Sequence, residues 1–517
     1  MLERWFRCIG LITTLVPLAA FAHGSRCDEV LSRIGDRLVD ARCVESPDLT
    51  TANANTTLPN NAFTPPQPVL TPPLPSSTPP LPAFAFTPQT DRTVIASGTP
   101  DTSKYSKVPG IQIEARIAGD PTGQARFLLR LPDDWNGRLV VAGASGTRSE
   151  FNGDWAWSDY VVQKGYAYAS QNKGVLNFYL TTAADPLGCR LNPDSTTYVH
   201  FYDVDPGQPF IRWGIFMGEA ARIAKKGVHA RYGHHPRFTY AVGTSNGGYQ
   251  VRRAVEAYPD LFDGGIDWEG TFVDDDRPNL LTDLPAAVLN WPAYAASGFD
   301  PNSAAAKNIE MAGYPPDLCC TTTATGAKTT LWGLYSASYW ELTWCQWQKR
   351  LDPTYDTYGQ GAANYHYYER AAHTDVSAQL ESFETTGRIQ RPLITIAGTM
   401  DALLPINHHA RAYARKVEER LEDAWGWGDD DRHHEDGDHR RPAYRLYEVQ
   451  NGNHIETYRT NFPTLEFIEP HAQAAFDALV NHVEHGTPLP PSQCIPRGGA
   501  LSASPSQPGH CARLYEP

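Results

Sequence analysis

Short runs of apolar residues alternate along the chain with longer segments in which apolar residues recur at helical spacing. The short runs are rich in β-branched and aromatic side chains, which is typical of buried strands. They predict strands at 127–131, 138–142, 166–170, 238–242, around 264–266, 392–397 and 444–449. The longer segments predict helices at 28–38, 211–226, 249–257, 408–421 and 470–485.

This alternation predicts a mostly parallel sheet with helices on both faces, because each connecting helix buries its apolar side on the sheet. The pattern stops between 271 and 391, where Trp, Tyr, Ala and Pro are frequent and no strand is evident. An interval of this length is typical of a functional insertion rather than a plain loop. We expect a cap or lid, with either its own small core or a binding surface built from its aromatic residues, among them Trp332, Trp340, Trp344 and Trp347.

The N-terminus has the residue order of a secretory signal peptide. Arg4 and Arg7 precede an apolar run at 9–21, and the segment 20–22 supplies the small residues of a cleavage site. The run is short for a permanent membrane span, and no later segment is apolar enough. We therefore expect a secreted protein without membrane insertion. Residues 46–88 are rich in Pro, Thr, Ser and Asn and predict an extended linker or strap.

These boundaries predict six segments. They are a signal peptide at 1–22, an N-terminal segment with a Pro/Thr-rich linker or strap at 23–90, the first part of the sheet domain at 91–270, the cap insertion at 271–391, the second part of the sheet domain at 392–490, and a C-terminal tail at 491–517.

Charge and cysteine content narrow the function classes. The 517-residue chain has a formal net charge of −14, whereas nucleic-acid binding needs clustered Lys and Arg. Removal of the signal peptide with Cys8 leaves eight of the nine cysteines. An even number in an oxidising compartment predicts disulfides, and the local loops Cys27–Cys43 and Cys494–Cys511 are the simplest pairs. No pair of CxxC motifs is present for a structural zinc site.

A nucleophile motif lies directly between a predicted strand and a predicted helix. Residues 243–247 read Gly-Thr-Ser-Asn-Gly and match G-x-S-x-G, in which the glycines allow a sharp turn that presents the serine hydroxyl above the sheet. Ser245 is therefore the candidate nucleophile. The alternative is a Gly-Ser loop without catalytic function.

A serine hydroxyl needs a base that is oriented by an acid. Asp401 and His454 each follow a predicted strand, and the chain order Ser, Asp, His is that of the α/β-hydrolase class. The carboxyl ends of parallel strands meet at one edge of the sheet, so these residues are the candidate triad with Ser245. The alternatives are a helix-capping Asp401 and a surface His454.

The remaining candidate site residues follow other strands. The backbone N–H of Asn246 comes directly after the nucleophile and is the expected first donor to an oxyanion, with Ala144 or Ser145 as the second. Trp268 and Glu269 follow the next strand, where Trp268 would stack on a substrate ring and Glu269 would bind a hydroxyl. The alternatives are a plain turn at Ala144 and Ser145, and a Trp268 that packs in the core.

Several blocks of sequence resemble the tannase and feruloyl esterase family. The clearest is 238–265, a strand, Gly-x-Ser-x-Gly-Gly and a helix, followed by Tyr-Pro-Asp-Leu-Phe-Asp-Gly at 258–264. Gly-Tyr-Ala at 165–167 and Gln-Asn-Lys-Gly at 171–174 are similar as well. The resemblance extends over roughly residues 126 to 485 and is patchy between these blocks.

The segments around Asp401 and His454 share this resemblance, which implies an α/β-hydrolase fold and an esterase for bulky, often aromatic or plant-derived esters. The family's bridged cysteines beside the serine and the histidine are replaced here by Thr244 and Ile455.

The sequence alone leaves other functions open. The expectation is a secreted serine esterase that forms an acyl-enzyme, without a cofactor or metal. The alternatives are a depolymerase or oligomer hydrolase for hydroxyalkanoate polyesters, a secreted serine peptidase, and a non-catalytic ligand-binding homologue. The run of Asp, Glu and His at 429–439 lacks the spacing of a calcium loop or HExxH motif and is interpreted as a solvated insertion. The sequence does not determine the oligomeric state.

Overall fold

The computed structural model describes residues 26–50, 106–121, 123, 125–146, 150, 155–174, 178–181, 197–200, 210–276, 278–322, 326–355, 365–425 and 441–517. The expected signal peptide, most of the Pro/Thr-rich segment and the acidic run at 429–439 lie outside these residues. Within the described ranges, no helix has both the length and the apolar character needed to cross a membrane.

A ten-stranded sheet forms the centre of the described chain. The strands within the described residues are β1 (Leu38–Ser46), β2 (Gly110–Ile117), β3 (Arg126–Pro132), β4 (Arg138–Gly143), β5 (Ala167–Gln171), β6 (Phe178–Thr181), β7 (Thr197–His200), β8 (Phe238–Thr244), β9 (Gly264–Trp268), β10 (Cys319–Thr322), β11 (Lys328–Thr330), β12 (Leu393–Gly398), β13 (Tyr444–Val449) and β14 (Gln493–Ile495). The large sheet has the order β1-β2-β3-β5-β4-β8-β9-β12-β13-β14, and the pairs β6–β7 and β10–β11 are separate.

The helices within the described residues lie on both faces of this sheet and in the interval between β9 and β12. They are α1 (Arg26–Ile34), α2 (Trp155–Val162), α3 (Ile211–Tyr232), α4 (Asn246–Ala257), α5 (Leu280–Ala296), α6 (Ala304–Met311), α7 (Leu331–Tyr335), α8 (Glu341–Leu351), α9 (Tyr367–His373), α10 (Val376–Glu381), α11 (Ala410–Trp425) and α12 (Glu469–His485). Apolar side chains of α1, α3, α4 and α11 form the core on one face, and those of α2 and α12 form the core on the other.

The strand directions and the helix layers agree with the predicted fold class. Strands β1 to β3 and β5 pair antiparallel, whereas all pairs from β5 across to β14 are parallel. In β4, Leu139 and Val141 enter one core while Val140 and Ala142 enter the other, which explains the continuous apolar run. A mostly parallel sheet with helices on both faces and a strand–serine–helix turn at its centre is the α/β-hydrolase fold. The fold prediction is confirmed.

The interval between β9 and β12 consists mainly of helices α5 to α10, with the small β10–β11 pair between them. Four of its five tryptophans are at most 1% exposed and form part of one core, which matches the packing alternative rather than a binding surface: Trp332, Trp340, Trp344 and Trp347. This core also includes Met400 and Leu404, which follow β12. The insertion therefore packs directly on the carboxyl-terminal edge of the sheet.

Three strands of the large sheet, β1, β2 and β14, were not expected from the pattern, and one helix boundary differs. The segment 28–38 was predicted as helical, but α1 ends at Ile34 and β1 begins at Leu38. Strand β2 contains the buried polar residues Gln112 and Glu114, which hydrogen-bond to each other and interrupt an apolar run. Strand β14 has three residues and β1 has no regular alternation of burial, so neither produces a periodic signal.

Both predicted local disulfides are present, Cys27–Cys43 and Cys494–Cys511. A bond between Cys319 and Cys320 is present as well, and Cys345 is also disulfide-bonded.

The Cys494–Cys511 bridge leads into a C-terminal tail that contacts the turns after β12 and β13. The Glu516 N–H donates to Asn451 Oδ1 at 2.8 Å, and Asn451 Nδ2 donates back to the Glu516 carbonyl at 2.5 Å. Asn451 has a φ of 63°, in the left-handed region that asparagine adopts more readily than most L-residues. These bonds therefore fix a left-handed turn three residues before His454.

We predict that the serine double variant of Cys494 and Cys511 loses about 3 kcal/mol of unfolding free energy, the value for a closed loop of this size. Urea unfolding without reductant measures this loss. Because the tail is released, the Asn451 and Asn453 amides should also exchange hydrogen faster. The serine double variant of Cys27 and Cys43 is the matched control, since its loop is one residue shorter (16 against 17). Equal exchange rates in the two variants would contradict the bracing role of the tail.

Candidate active site

Ser245 lies in a sharp turn between β8 and α4, with φ of 59° and ψ of −121°. Its N–H donates to the Trp268 carbonyl at 2.9 Å, and its carbonyl accepts from the Tyr249 N–H at 3.1 Å. A positive φ at a non-glycine residue costs free energy and persists where the surrounding structure enforces it, as in a nucleophile elbow. The local geometry is therefore that expected of the motif.

The two glycines of the motif are required by close backbone packing. A Cβ on Gly247 would lie 2.5 Å from the Gly143 carbonyl oxygen, and one on Gly243 would lie 2.4 Å from the Gly247 carbonyl oxygen. The end of β4 thus packs against the start of α4 at a distance that only glycine permits. This contact positions the serine turn relative to the central strands.

Asp401 and His454 are hydrogen-bonded to each other. His454 Nδ1 lies 2.8 Å from Asp401 Oδ2, and Asp401 Oδ1 accepts the N–H groups of Leu403 at 2.8 Å and Leu404 at 2.7 Å. Asp401 therefore caps the following turn, as the alternative proposed, and binds the imidazole with its other oxygen. A carboxylate on Nδ1 favours the tautomer in which Nε2 is the basic nitrogen.

The side chains are brought together by the order of neighbouring strands. Strands β8, β9, β12 and β13 are adjacent and parallel. Ser245, Glu269, Asp401 and His454 follow these four strands in the same order. Each of them is therefore at the carboxyl-terminal edge of the sheet, beneath the helical insertion.

The insertion contacts the loops that carry Asp401 and His454. Tyr335 OH donates to Asn453 Oδ1 at 2.8 Å, and Trp340 Nε1 donates to the Ala402 carbonyl at 2.6 Å. Burial and the nearby Asp401 raise the pKa of Tyr335 well above its usual value, which keeps this phenol neutral. The insertion thereby helps to fix the position of the Asp401 and His454 loops.

Glu269 is not placed as the sequence predicted. Its side chain is 1% exposed, Oε1 accepts the Gly398 N–H at 3.0 Å, and Oε2 lies 3.5 Å from His454 Nδ1. Burial, and next the charge of Asp401, raise its pKa to about 8. It contacts the imidazole and not a site open to a substrate hydroxyl, because parallel strands place it between the Ser245 and Asp401 loops. The prediction of a hydroxyl-binding role is corrected accordingly.

The predicted stacking role of Trp268 is also corrected. It is buried in the core beneath α2 and α12, where its ring meets Trp157 edge to face at 6.4 Å. As the last residue of β9, its side chain points toward a face of the sheet while Glu269 continues past the edge. Trp268 therefore packs as the alternative proposed and does not form a platform for a substrate ring.

One of the three expected oxyanion donors, the Ala144 N–H, already has an acceptor within the protein. The Asn246 amide is at the first position of α4, where an N–H has no acceptor within the helix. The Ala144 N–H instead donates to Gln250 Oε1 at 3.3 Å. Of the two candidates after β4, this leaves Ser145 as the better placed second donor.

The sequence did not indicate a separate role for Lys173, which was singled out only as part of the Gln-Asn-Lys-Gly block at 171–174. Lys173 is completely buried, has a φ of 65°, and donates from Nζ to the carbonyls of Ser145 at 2.5 Å and Gly146 at 3.5 Å. An ammonium on these carbonyls orients the peptide groups of the turn.

Among the described residues, one group has ligand atoms close enough to share a metal ion, namely Glu269, Asp401 and His454, within 4.8 Å of one another. However, His454 Nδ1 and Asp401 Oδ2 are occupied by their mutual hydrogen bond. A metal ion here would have to displace that bond, so the arrangement fits an acid–base pair better.

Comparison with protein families finds a match to ester hydrolases. Residues 348–510, which include Asp401 and His454, match the family model of 3HB-oligomer hydrolases. The D-(-)-3-hydroxybutyrate oligomer hydrolase of Burkholderia thailandensis is 31% identical over 139 residues, and that of Burkholderia mallei is 30% identical over 139 residues. Each match covers 25% of this chain and only 17% of the relative's length.

Solved structures with a similar fold are also esterases. Feruloyl esterase B from Aspergillus oryzae has 13% identity and a TM-score of 0.46, with 88% of each chain covered. Tannin acyl hydrolase from Aspergillus niger has 15% identity and a TM-score of 0.39, with 80% of this chain and 89% of the other covered. At these identities the similarity concerns the fold.

We predict that Lys173→Met lowers kcat for a chromogenic ester by about 10- to 100-fold, because the Ser145 turn loses its orienting cation; loss of a direct oxyanion donor costs more. Steady-state kinetics and thermal unfolding of the same samples separate this effect from misfolding. Lys164→Met is the control, since Lys164 pairs with Asp477 at the surface. Unchanged kcat in a folded Lys173→Met variant would contradict the assignment.

Proposed function

We propose that the protein is a serine hydrolase that cleaves carboxylic esters through an acyl-enzyme. Ser245 Oγ attacks the ester carbonyl carbon while His454 Nε2 takes its proton, and Asp401 stabilises the resulting imidazolium. His454 then protonates the departing alcohol. A water molecule, deprotonated by His454, attacks the acyl-enzyme and releases the acid and the free serine.

The observation that carries this proposal is the 2.8 Å Asp401–His454 pair, which follows β12 and β13 at the same sheet edge as the strained Ser245 turn after β8. An acid, a base and a serine on a sharp turn at one sheet edge are the parts that acyl transfer requires. The family match over 348–510 adds support, because that segment contains the acid and the base.

The oxyanion of each tetrahedral intermediate would be bound by the backbone N–H groups of Asn246 and Ser145. Preorganised donors of this kind contribute about 3 kcal/mol each in other hydrolases. Lys173 supports the Ser145 turn through its bonds to the Ser145 and Gly146 carbonyls.

Two substrate classes are favoured by separate observations. The family match and the 31% identity to a D-(-)-3-hydroxybutyrate oligomer hydrolase favour short aliphatic oligoesters. The motifs shared with the tannase and feruloyl esterase family favour bulky aromatic or phenolic esters. We give the oligoesters preference, because the sequence match includes Asp401 and His454.

We further propose that the protein acts outside the cytoplasm as a secreted enzyme. The signal-like N-terminus supports this, and so do the Cys27–Cys43 and Cys494–Cys511 disulfides, because such bonds persist in oxidising compartments.

Ser245→Ala should lower kcat more than about 10⁴-fold, because the residual rate without the nucleophile comes only from binding and the oxyanion donors. It should also abolish the mass adduct that a fluorophosphonate probe leaves on the peptide containing residue 245. Ser46→Ala, which removes another buried hydroxyl in the distant strand β1, is the control and should behave as wild type. Loss of less than tenfold activity in Ser245→Ala, or an adduct elsewhere, would refute the mechanism.

The substrate class is tested by kcat/KM on three sets of compounds: linear 3-hydroxybutyrate dimers and trimers, methyl esters of ferulic and gallic acid, and peptide amides. We expect the oligomers to give the highest value, because the family match extends over the acid–base segment. A higher value for the phenolic esters would reverse the order of the two classes. Turnover of peptide amides alone would refute both.

A further inference from the structure

The site contains a second buried carboxyl that the mechanism above does not use. Glu269 lies between the Ser245 and Asp401 loops, with Oε2 at 3.5 Å from His454 Nδ1. Of its two oxygens, Oε1 accepts the Gly398 N–H, whereas Oε2 has no hydrogen-bond partner. A buried carboxyl oxygen without a partner is costly, so its position beside the imidazole calls for a functional reason.

The backbone at this position is strained as well. Glu269 has a φ of 51°, the left-handed region that glutamate seldom adopts. Its N–H donates to the Ile396 carbonyl at 2.7 Å, which ties the residue to β12, the strand that carries Asp401. Strain of this kind persists where the surrounding structure enforces it and is frequent at active sites. Two separate features therefore single out Glu269.

We propose that Glu269 is a second acid for His454, able to accept the Nδ1–H in place of Asp401 and to share the stabilisation of the imidazolium. The inference rests on the proposed function, because it assumes that His454 is the base for Ser245. Glu269 acts through His454 and is thus a positioning residue that does not touch the substrate.

The groups around Glu269 determine the pH at which its carboxyl ionises. The groups that influence it are Asp401 after β12, His454 and Glu456 after β13, and Tyr335 of the insertion. Burial and Asp401 raise the pKa of Glu269 to about 8, so the carboxyl is mainly protonated at neutral pH. Its negative charge develops as the pH rises through this value, and a second carboxylate beside His454 then favours the imidazolium. Removal of Asp401 removes one cause of the shift and lets Glu269 ionise at lower pH.

The decisive comparison is between two substitutions of Asp401. In Asp401→Ala, His454 Nδ1–H can turn to Glu269, and we expect kcat at pH 8.5 to fall by about 10- to 100-fold, against about 10⁴ for an unsupported triad. In Asp401→Asn, the amide retains an acceptor for the Leu403 and Leu404 N–H groups but donates to Nδ1, which imposes the wrong tautomer. Asn should therefore be more harmful than Ala, the reverse of a purely structural effect.

In the Asp401→Ala background, the further substitution Glu269→Gln should lower kcat to the level of a triad in which no carboxylate contacts His454. Glu456→Gln is the matched control in the same background. Glu456 is also a buried carboxyl near the site, but it accepts the Ile468 and Glu469 N–H groups. It should cause no further loss.

The single variant Glu269→Gln gives a test that does not require Asp401 variants to fold. In wild type, kcat/KM should show an additional rise as the pH increases through about 8, and this rise should be absent in Glu269→Gln. Equal kcat values for Asp401→Ala and for the double variant that also carries Glu269→Gln would overturn the inference. Identical pH profiles for wild type and Glu269→Gln would overturn it as well. Retained activity in Ser245→Ala would instead overturn the proposed function, so the two failures are distinguishable.

Discussion

The hydrogen bond between Asp401 Oδ2 and His454 Nδ1 is the interaction on which the site depends. It forms because β12 and β13 pair in parallel along their full length, so that the turns after Gly398 and Val449 leave the sheet side by side. Both turns are supported from outside the sheet: the C-terminal tail binds Asn451, and Tyr335 of the insertion binds Asn453. An imidazole held this closely can exchange protons without reorganisation of its surroundings.

The helical insertion packs on the turn after β12 and thereby supports the Asp401–His454 hydrogen bond. Four of its tryptophans are buried with Met400 and Leu404, so the core of the insertion and the turn after β12 form one unit. Burial of the Asp401 and Glu269 carboxyls follows from this contact, and burial is the main reason why the pKa of Glu269 is raised. The same apolar cover strengthens every electrostatic interaction around His454, because the local dielectric constant is low.

The fold of the protein does not by itself name a reaction, since similar α/β-hydrolase sheets support many reactions. The family match over 348–510 includes Asp401 and His454 but not Ser245, and the curated relatives are covered over only 17% of their length.

Local patterns in the sequence were enough to locate the strands that carry Ser245, Asp401 and His454 and to pair two of the disulfides, because these depend on local periodicity, turn chemistry and short loops. Which side chains those strands bring together depends instead on contacts between distant parts of the chain. Glu269 was expected to face a substrate, but the register of β9 against β12 turns it to the imidazole. Lys173 and Trp268 likewise acquired their roles from packing across the sheet, a long-range property that no local pattern encodes.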